Sequence, residues 1–257
     1  MSAATYALAY RALVTKQIRR ILRSWVQSIL PSVITMALFL VIFGHFVGRH
    51  VQTIDGISYA DYIVPGLIMM AVITNAYSNA CSAFFGAKLQ RHIEELLIAP
   101  VPGALIVLGY VTAGAFRGLL VGAIVAALAI PFTGIHLHDP IATLAVAILT
   151  AIAFALAGLI NGILARDFDE TSVVSTFVIM PLTYLGGVFY SVARLPEPWA
   201  QISLGNPMLY MVDGFRYGLL GVSDVPLAAT FSLLAVLIVT LGWLCHVMIA
   251  RGVAIKP

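Results

Sequence analysis

The sequence predicts an all-α membrane protein. Six apolar runs, at 26–48, 62–87, 104–131, 141–165, 173–193 and 227–249, fill most of the 257 residues, and none contains an Asp or Glu. Each reaches the ~20 residues that a helix rising ~1.5 Å per residue needs to cross ~30 Å of hydrocarbon. The strict alternation of a transmembrane barrel is absent, so helices are the spans that satisfy their own backbone in lipid. Composition agrees, with 61% hydrophobic and 10% charged residues and a mean hydropathy of +1.02. The loops are short, so residues 1–257 read as a single integral domain.

Basic residues orient the spans. With the amino terminus inside, ten of the fourteen Lys and Arg fall on the inner side: Arg11, Lys16, Arg19, Arg20, Arg23, Lys88, Arg91, Arg166, Arg251 and Lys256. Arg49, Arg194 and Arg216 fall outside and Arg117 lies within a span, so both termini are expected in the cytoplasm. This distribution, rather than a nucleic-acid partner, accounts for the net charge of +3.

Residues 1–25 predict an amphipathic interfacial helix. Tyr6, Tyr10, Leu13, Val14, Ile18, Ile21, Leu22 and Trp25 recur at three- and four-residue spacing, with the cations on the other side. Such a helix lies on the inner leaflet with its cations over anionic headgroups; a topology signal alone is the plainer alternative. The first run is too long for a cleaved signal peptide and serves as its own anchor. Cys81 and Cys245 sit late in outside-to-inside spans near the reducing cytoplasm, where packing rather than a disulfide is expected.

Gly114, Gly118 and Gly122 stand four apart in the third run, and Gly158 and Gly162 repeat the spacing in the fourth. Small residues at that interval let helix backbones approach closely. The fifth run is interrupted by Pro181 and by Gly186 with Gly187. The stretch that follows, 194–226, is punctuated by Pro196, Pro198 and Pro207 yet is too apolar for a solvated loop. Two short helices dipping back into the outer leaflet fit it, because irregular backbone at membrane depth survives only when buried in protein. A helical cap on the outer surface is the alternative.

The chemistry is notable for what it lacks. No carboxylate lies within a span to bind a coupling ion. His136 and His138, one residue apart with a single Asp nearby, make a weak metal pattern, and no metal site is expected. No G-x-S-x-G, H-E-x-x-H, C-x-x-C or glycine-rich loop ending in Lys-Ser/Thr occurs, so neither catalysis nor nucleotide binding is expected in this chain. Energy must come from another chain, or the protein is a passive channel. The inner loop 88–103 offers the positive signal: a short helix with Arg91, Glu94 and Glu95 on one side and Ile93, Leu96 and Leu97 on another, ended by Pro100 and Pro102. An amphipathic helix there suits docking of a soluble partner, or rests on the lipid surface with no partner.

The order of these features resembles the permease subunits of ABC-2 type exporters. The specific parts are the E-E-L-L-x-x-P-x-P loop after the second run and the N-P-x-x-Y-x-x-x-x-x-R segment from Asn206 to Arg216; the resemblance extends over essentially the whole chain. It implies six transmembrane helices, an interfacial helix over 6–24 and a coupling helix over 91–99. It also implies a re-entrant outer helical hairpin over 196–221, between the fifth and sixth spans. The assembly it implies is a homodimer in the bacterial inner membrane bound to two copies of a separate ABC ATPase, which holds ATP and Mg. Arg91, Glu94, Glu95, Leu96, Leu97 and Pro100 would contact that ATPase. Asn206, Pro207 and Arg216 would shape the outer gate, where Asn-Pro favours a helix start and Asp213 can pair with Arg216 at i, i+3, and Arg117, Phe177, Tyr184, Phe189 and Tyr190 are the candidate substrate path. Lipid-like, glycolipid, polymer and amphipathic substrates all remain open, and the rival reading is a non-transporting scaffold or regulatory subunit. Arg117 is expected to face the protein interior or the outer interface, with Asp61, Asp213 or a headgroup as partner, because burying it in lipid costs at least ~2.5 kcal/mol.

Overall fold

A computed structural model describes residues 3–48, 53–54, 56–93, 101–134 and 137–253. These are almost entirely helical. α1 (Ala3–Arg23), α2 (Trp25–Ser28) and α3 (Leu30–Phe39) lead into a π-helical stretch, Leu40–Val47. The short strands β1 (Thr53–Ile54) and β2 (Ile57–Ser58) pair antiparallel. Three long helices follow: α4 (Tyr59–Leu89), α5 (Gly103–Ala129) and α6 (Pro140–Leu164). Then come α7 (Phe168–Val174), a π turn (Ser175–Ile179), α8 (Met180–Tyr184), α9 (Glu197–Leu204), α10 (Pro207–Leu220) and α11 (Leu227–Arg251).

Five helices are long and apolar enough to cross a membrane: Trp25–Gly44, α4, α5, α6 and α11. The fifth apolar run of the sequence, 173–193, is organised differently from its hydropathy. Asp167 accepts the amide of Glu170 at 2.8 Å and starts the helix at Phe168. The helix ends at Tyr184, and Gly187 then turns the chain at φ 72, a left-handed conformation that glycine adopts without cost. Residues 185–191 fold back as turns, so the helical part of this run is short.

α4 is the central post. Its most apolar window is 89% buried, against 22% for α11 and 17% for the first span. The reason lies in the glycines of α5 and α6. A methyl group on Gly158 would collide with the Tyr77 carbonyl, and one on Gly118 or Gly162 would come within 2.7 Å of the Val72 or Cys81 carbonyl. The four-residue spacing therefore does what its sequence implied, laying two helices against the α4 backbone. Cys81 and Cys245 are buried free thiols.

The ends of the bundle differ. At the end where α4 stops, the Lys88 ammonium donates to the carbonyls of Ile163 and Ala165, both at 2.9 Å, and closes the carboxyl end of α6. α1 lies there, one face turned into protein: Ile21 is buried, Leu13 packs on Gly109, and Tyr10 shares a 2.8 Å hydrogen bond with Thr112. The opposite end carries the β hairpin, the start of α6 and the α9–α10 pair. There Asp139 caps α6 through the amides of Ile141 and Ala142 and donates its own amide to Gly218 at 2.8 Å.

Candidate functional site

The most heavily built polar site surrounds α10. Asn206 starts this helix by accepting the Met208 amide at 3.0 Å, and Pro207 occupies the first turn, where a missing N–H costs nothing. The other half of the same amide donates to the Leu182 carbonyl at 2.6 Å, which fastens the helix start to α8. Met208, Leu209, Met211 and Val212 are buried, so the helix is embedded in protein rather than laid on it. Gly221, at φ 74, ends it.

Two charges are buried with those apolar residues. Asp213 and Arg216 form the i, i+3 ion pair implied by their spacing, at 3.4 Å, with Arg216 only 1% exposed. The Asp213 carboxylate also accepts the Ser223 hydroxyl at 2.6 Å and the amides of Asp224 and Val225 at 3.0 Å. Arg216 donates to the Gly187 carbonyl at 2.5 Å, and its guanidinium lies 4.0 Å from the centroid of the Tyr62 ring. Asp224 in turn accepts the Ser191 hydroxyl at 2.9 Å and the Val192 amide at 3.0 Å. The network thus joins α10, the turn before α11, the turns after α8 and the start of α4. Its carboxylates are occupied as acceptors, each by a serine hydroxyl and by backbone amides. It can hold one end of the bundle together.

Sequence reasoning reached Asn206, Pro207, Arg216 and Asp213 but missed Tyr62, Gly187, Ser191, Ser223 and Asp224. Asp224 sits in a Ser-Asp-Val-Pro turn that was readable as a turn, but its contact with Ser191 spans 33 positions and leaves no local trace.

The proposed path residues do not form one group. Phe189 packs on Phe43, with ring centroids 4.6 Å apart, and lies 6.2 Å from Phe39 and 6.1 Å from Tyr184. Tyr190 donates to the Leu185 carbonyl at 2.9 Å. Phe177 stands apart, 73% exposed. Arg117 is half buried and donates to the Ser28 carbonyl at the break between α2 and α3. Neither expected carboxylate is its partner: Asp61 accepts the Ser58 hydroxyl and the Gly134 amide, and Asp213 holds Arg216. A backbone carbonyl carries no side-chain signal, which is why sequence alone named acids instead.

At the other end, Arg91 is exposed at φ 58, His92 is exposed and Ile93 is buried beside Phe84 and Ile106. The chain therefore turns at Arg91. Glu94, Glu95, Leu96, Leu97 and Pro100 lie outside the described residues, as does His136. Among the described residues no group of three His, Cys, Asp or Glu side chains is disposed to hold a metal. His138 instead packs edge-on to Tyr217 at 5.6 Å.

A helical membrane bundle with a buried, latched helix at one end and a basic amphipathic helix at the other fits a transporter membrane subunit. The chain belongs to the ABC-2 type transporter family, which residues 9–220 match. It is 51% identical over 247 residues to the inner membrane transport permease YadH of Escherichia coli (strain K12), covering 96% of each chain. It is 29% identical over 195 residues to nodulation protein J of Rhizobium leguminosarum bv. viciae, covering 76% of this chain and 75% of the relative. Nodulation protein J of Rhizobium meliloti (strain 1021) is 26% identical over 195 residues, with 76% of this chain and 74% of the relative covered. The chain is therefore a multi-pass inner-membrane permease subunit of an ATP-binding-cassette transporter. Members of this family are membrane subunits rather than enzymes, and membership implies an ATPase partner.

Proposed function

We propose that the chain exports a lipid-like, glycolipid, polymer or amphipathic substrate from the cytoplasm or inner leaflet. It works as a homodimer bound to two copies of an ATPase that holds ATP and Mg. The observation that carries this reading is the contrast between the two ends of the bundle. One is shut by the Asp213–Arg216–Tyr62 network around the buried helix α10. The other presents the basic α1 and an exposed turn at Arg91 and His92. The basic end belongs to the cytoplasm by the positive-inside rule, with both termini there.

In this arrangement the helical stretch Phe168–Tyr184 supplies the sixth crossing, reaching ~25 Å at ~1.5 Å per residue. α9 and α10 act as the re-entrant hairpin and outer gate. The bond from Asn206 to Leu182, near the far end of that crossing, supports a turn at membrane depth. The path runs between two copies, walled by Tyr184 and Phe189 with Phe39 and Phe43, while Phe177 projects toward lipid or the second copy. Residues 91–99 couple ATP hydrolysis to the path: Glu94 and Glu95 pair with basic groups of the ATPase, and Leu96 and Leu97 fill an apolar slot.

Co-purification of the chain with a candidate ABC ATPase, followed by measurement of ATP turnover, tests the assembly. Glu94→Lys with Glu95→Lys is expected to weaken association or uncouple turnover from transport while leaving membrane insertion intact. Normal association and normal coupled turnover in that variant would count against the assignment of this loop. A stable complex that hydrolyses ATP but moves no substrate would favour the scaffold reading.

A further inference from the structure

A cavity of about 510 Å³ lies beneath α1, between that helix and the adjoining ends of α4 and α5. Its size falls in the ~300–1,000 Å³ range of small-molecule sites. Leu13, Ala83, Ala87, Ile106 and Tyr110 make its walls mostly apolar. Lys16 and Arg20, one helical turn apart on α1, stand at its mouth, and the described lining contains no carboxylate. Arg20 donates to the neutral Asn79 side chain at 3.3 Å. Desolvation lowers its guanidinium from the ordinary value, and it remains charged at physiological pH all the same. Gln17 also lines the cavity. It is only 5% exposed, and its Oε1 has no hydrogen-bond partner. A buried amide left unsatisfied in a protein is costly unless something reaches it.

At Arg216 the fold supplies its own anion, Asp213, on the same helix. Beneath α1 two cations and an unsatisfied amide surround an apolar slot with no acid in its described lining, so the occupant must bring both the negative charge and the alkyl chain. We propose that this cavity holds one anionic phospholipid, its phosphate on Lys16 and Arg20, its headgroup on the Gln17 amide, and one acyl chain along Leu13, Ala87 and Ile106. The Gln17 amide accepts from a headgroup hydroxyl, or donates to a phosphate oxygen if turned over. The lipid joins α1 to α4 and α5, as an integral part of the folded subunit. The proposal rests on α1 lying at the cytoplasmic membrane surface.

The test is native mass spectrometry of the full chain, purified in mild detergent, delipidated, and offered phosphatidylglycerol, phosphatidylcholine or inorganic phosphate. One phosphatidylglycerol per chain is expected to survive washing, retained at least ~10-fold better than phosphatidylcholine, as two cations near an anionic headgroup allow. Lys16→Gln with Arg20→Gln is expected to remove that preference. Ala87→Phe, which fills the slot and changes no charge, is expected to lower retention of phosphatidylglycerol, with circular dichroism checking that each variant stays helical. Equal retention of the two lipids, unchanged retention in helical variants, or displacement by millimolar phosphate alone would overturn the proposal. Retention of neither lipid by the folded chain would also overturn it and would leave the cavity to a protein partner. The assay needs neither ATPase nor substrate, so its failure leaves the export reading standing, and failure of transport leaves it unaffected.

Discussion

Arg216 lies over the face of Tyr62, its guanidinium carbon 4.0 Å from the ring centroid, while its Nη1 reaches Asp213 at 3.4 Å. The ring offers a negative face to a cation removed from water, which is worth ~2 kcal/mol in a desolvated setting. One charge is thereby held from two sides, by an aromatic ring on α4 and a carboxylate on α10. The contact ties α10 to the central post.

Loss of the acid is expected to cost more than loss of the base. Asp213→Ala strands the buried Arg216 guanidinium and also the amides of Asp224 and Val225, whereas Arg216→Ala leaves Asp213 with three other donors. Removing one member of a buried pair costs ~3–5 kcal/mol, and Asp213→Ala should fall at or above that range and Arg216→Ala below it. Thermal unfolding of both variants in the same detergent checks the order; a lower melting point for Arg216→Ala would contradict it.

Asn206 offers a graded case. Asn206→Ser keeps an acceptor for the Met208 amide and loses the amide donor to Leu182, while Asn206→Ala loses both. The cap alone is worth ~1 kcal/mol, so Asn206→Ser should melt between wild type and Asn206→Ala. Protease sensitivity of the 194–226 segment should rise in the same order.

A single methyl group separates two glycines. Gly158→Ala drives Cβ into the Tyr77 carbonyl, a backbone atom that cannot swing away, and overpacking of this kind costs ~1–3 kcal/mol. In α11, Gly242→Ala meets only the Leu156 side chain, at 3.9 Å, and gains helix propensity worth up to ~1 kcal/mol. Melting temperatures that move in opposite directions are the expected result.

Two phenylalanines of the fifth run should also part company. Phe189→Ala removes ring contacts with Phe39, Phe43 and Tyr184, each aromatic pair worth ~0.5–1.5 kcal/mol. Phe177→Ala, on an exposed position, should stay within ~0.5 kcal/mol of wild type. Reduced export by Phe177→Ala at unchanged stability would mark it as part of the path; reduced stability would mean that it is packed in the assembled subunit.

Where sequence and structure agree, the signal was local. Four-residue glycine spacing, an Asn-Pro helix start and an i, i+3 charge pair each depend on neighbours along one helix, and hydropathy marks long lipid-length runs directly. On the fifth run the hydropathy and the helix have different bounds. Hydropathy ignored the polar first turn with Asp169 and Glu170, where capping by Asp167 begins the helix, and it read through Gly187, where the backbone reverses. It also passed over the break at Ile29, after which the chain starts α3, and the π winding of Leu40–Val47. Arg117 and Tyr62 depend on partners from other helices, Ser28 and Arg216, and such pairings are decided by packing that no local pattern encodes.

The glycines pressed against α4 have a mechanical consequence. A helix whose neighbours' backbones rest against its own carbonyls cannot roll about its axis, and it can slide only by whole turns of ~5.4 Å. α4, α5 and α6 are thus a keel, and movement of the subunit is expected in what is hung on it: the first span, the stretch Phe168–Tyr184 and α11. Distances measured between spin labels within the keel should stay fixed through a turnover cycle, while those from the keel to the outriggers change.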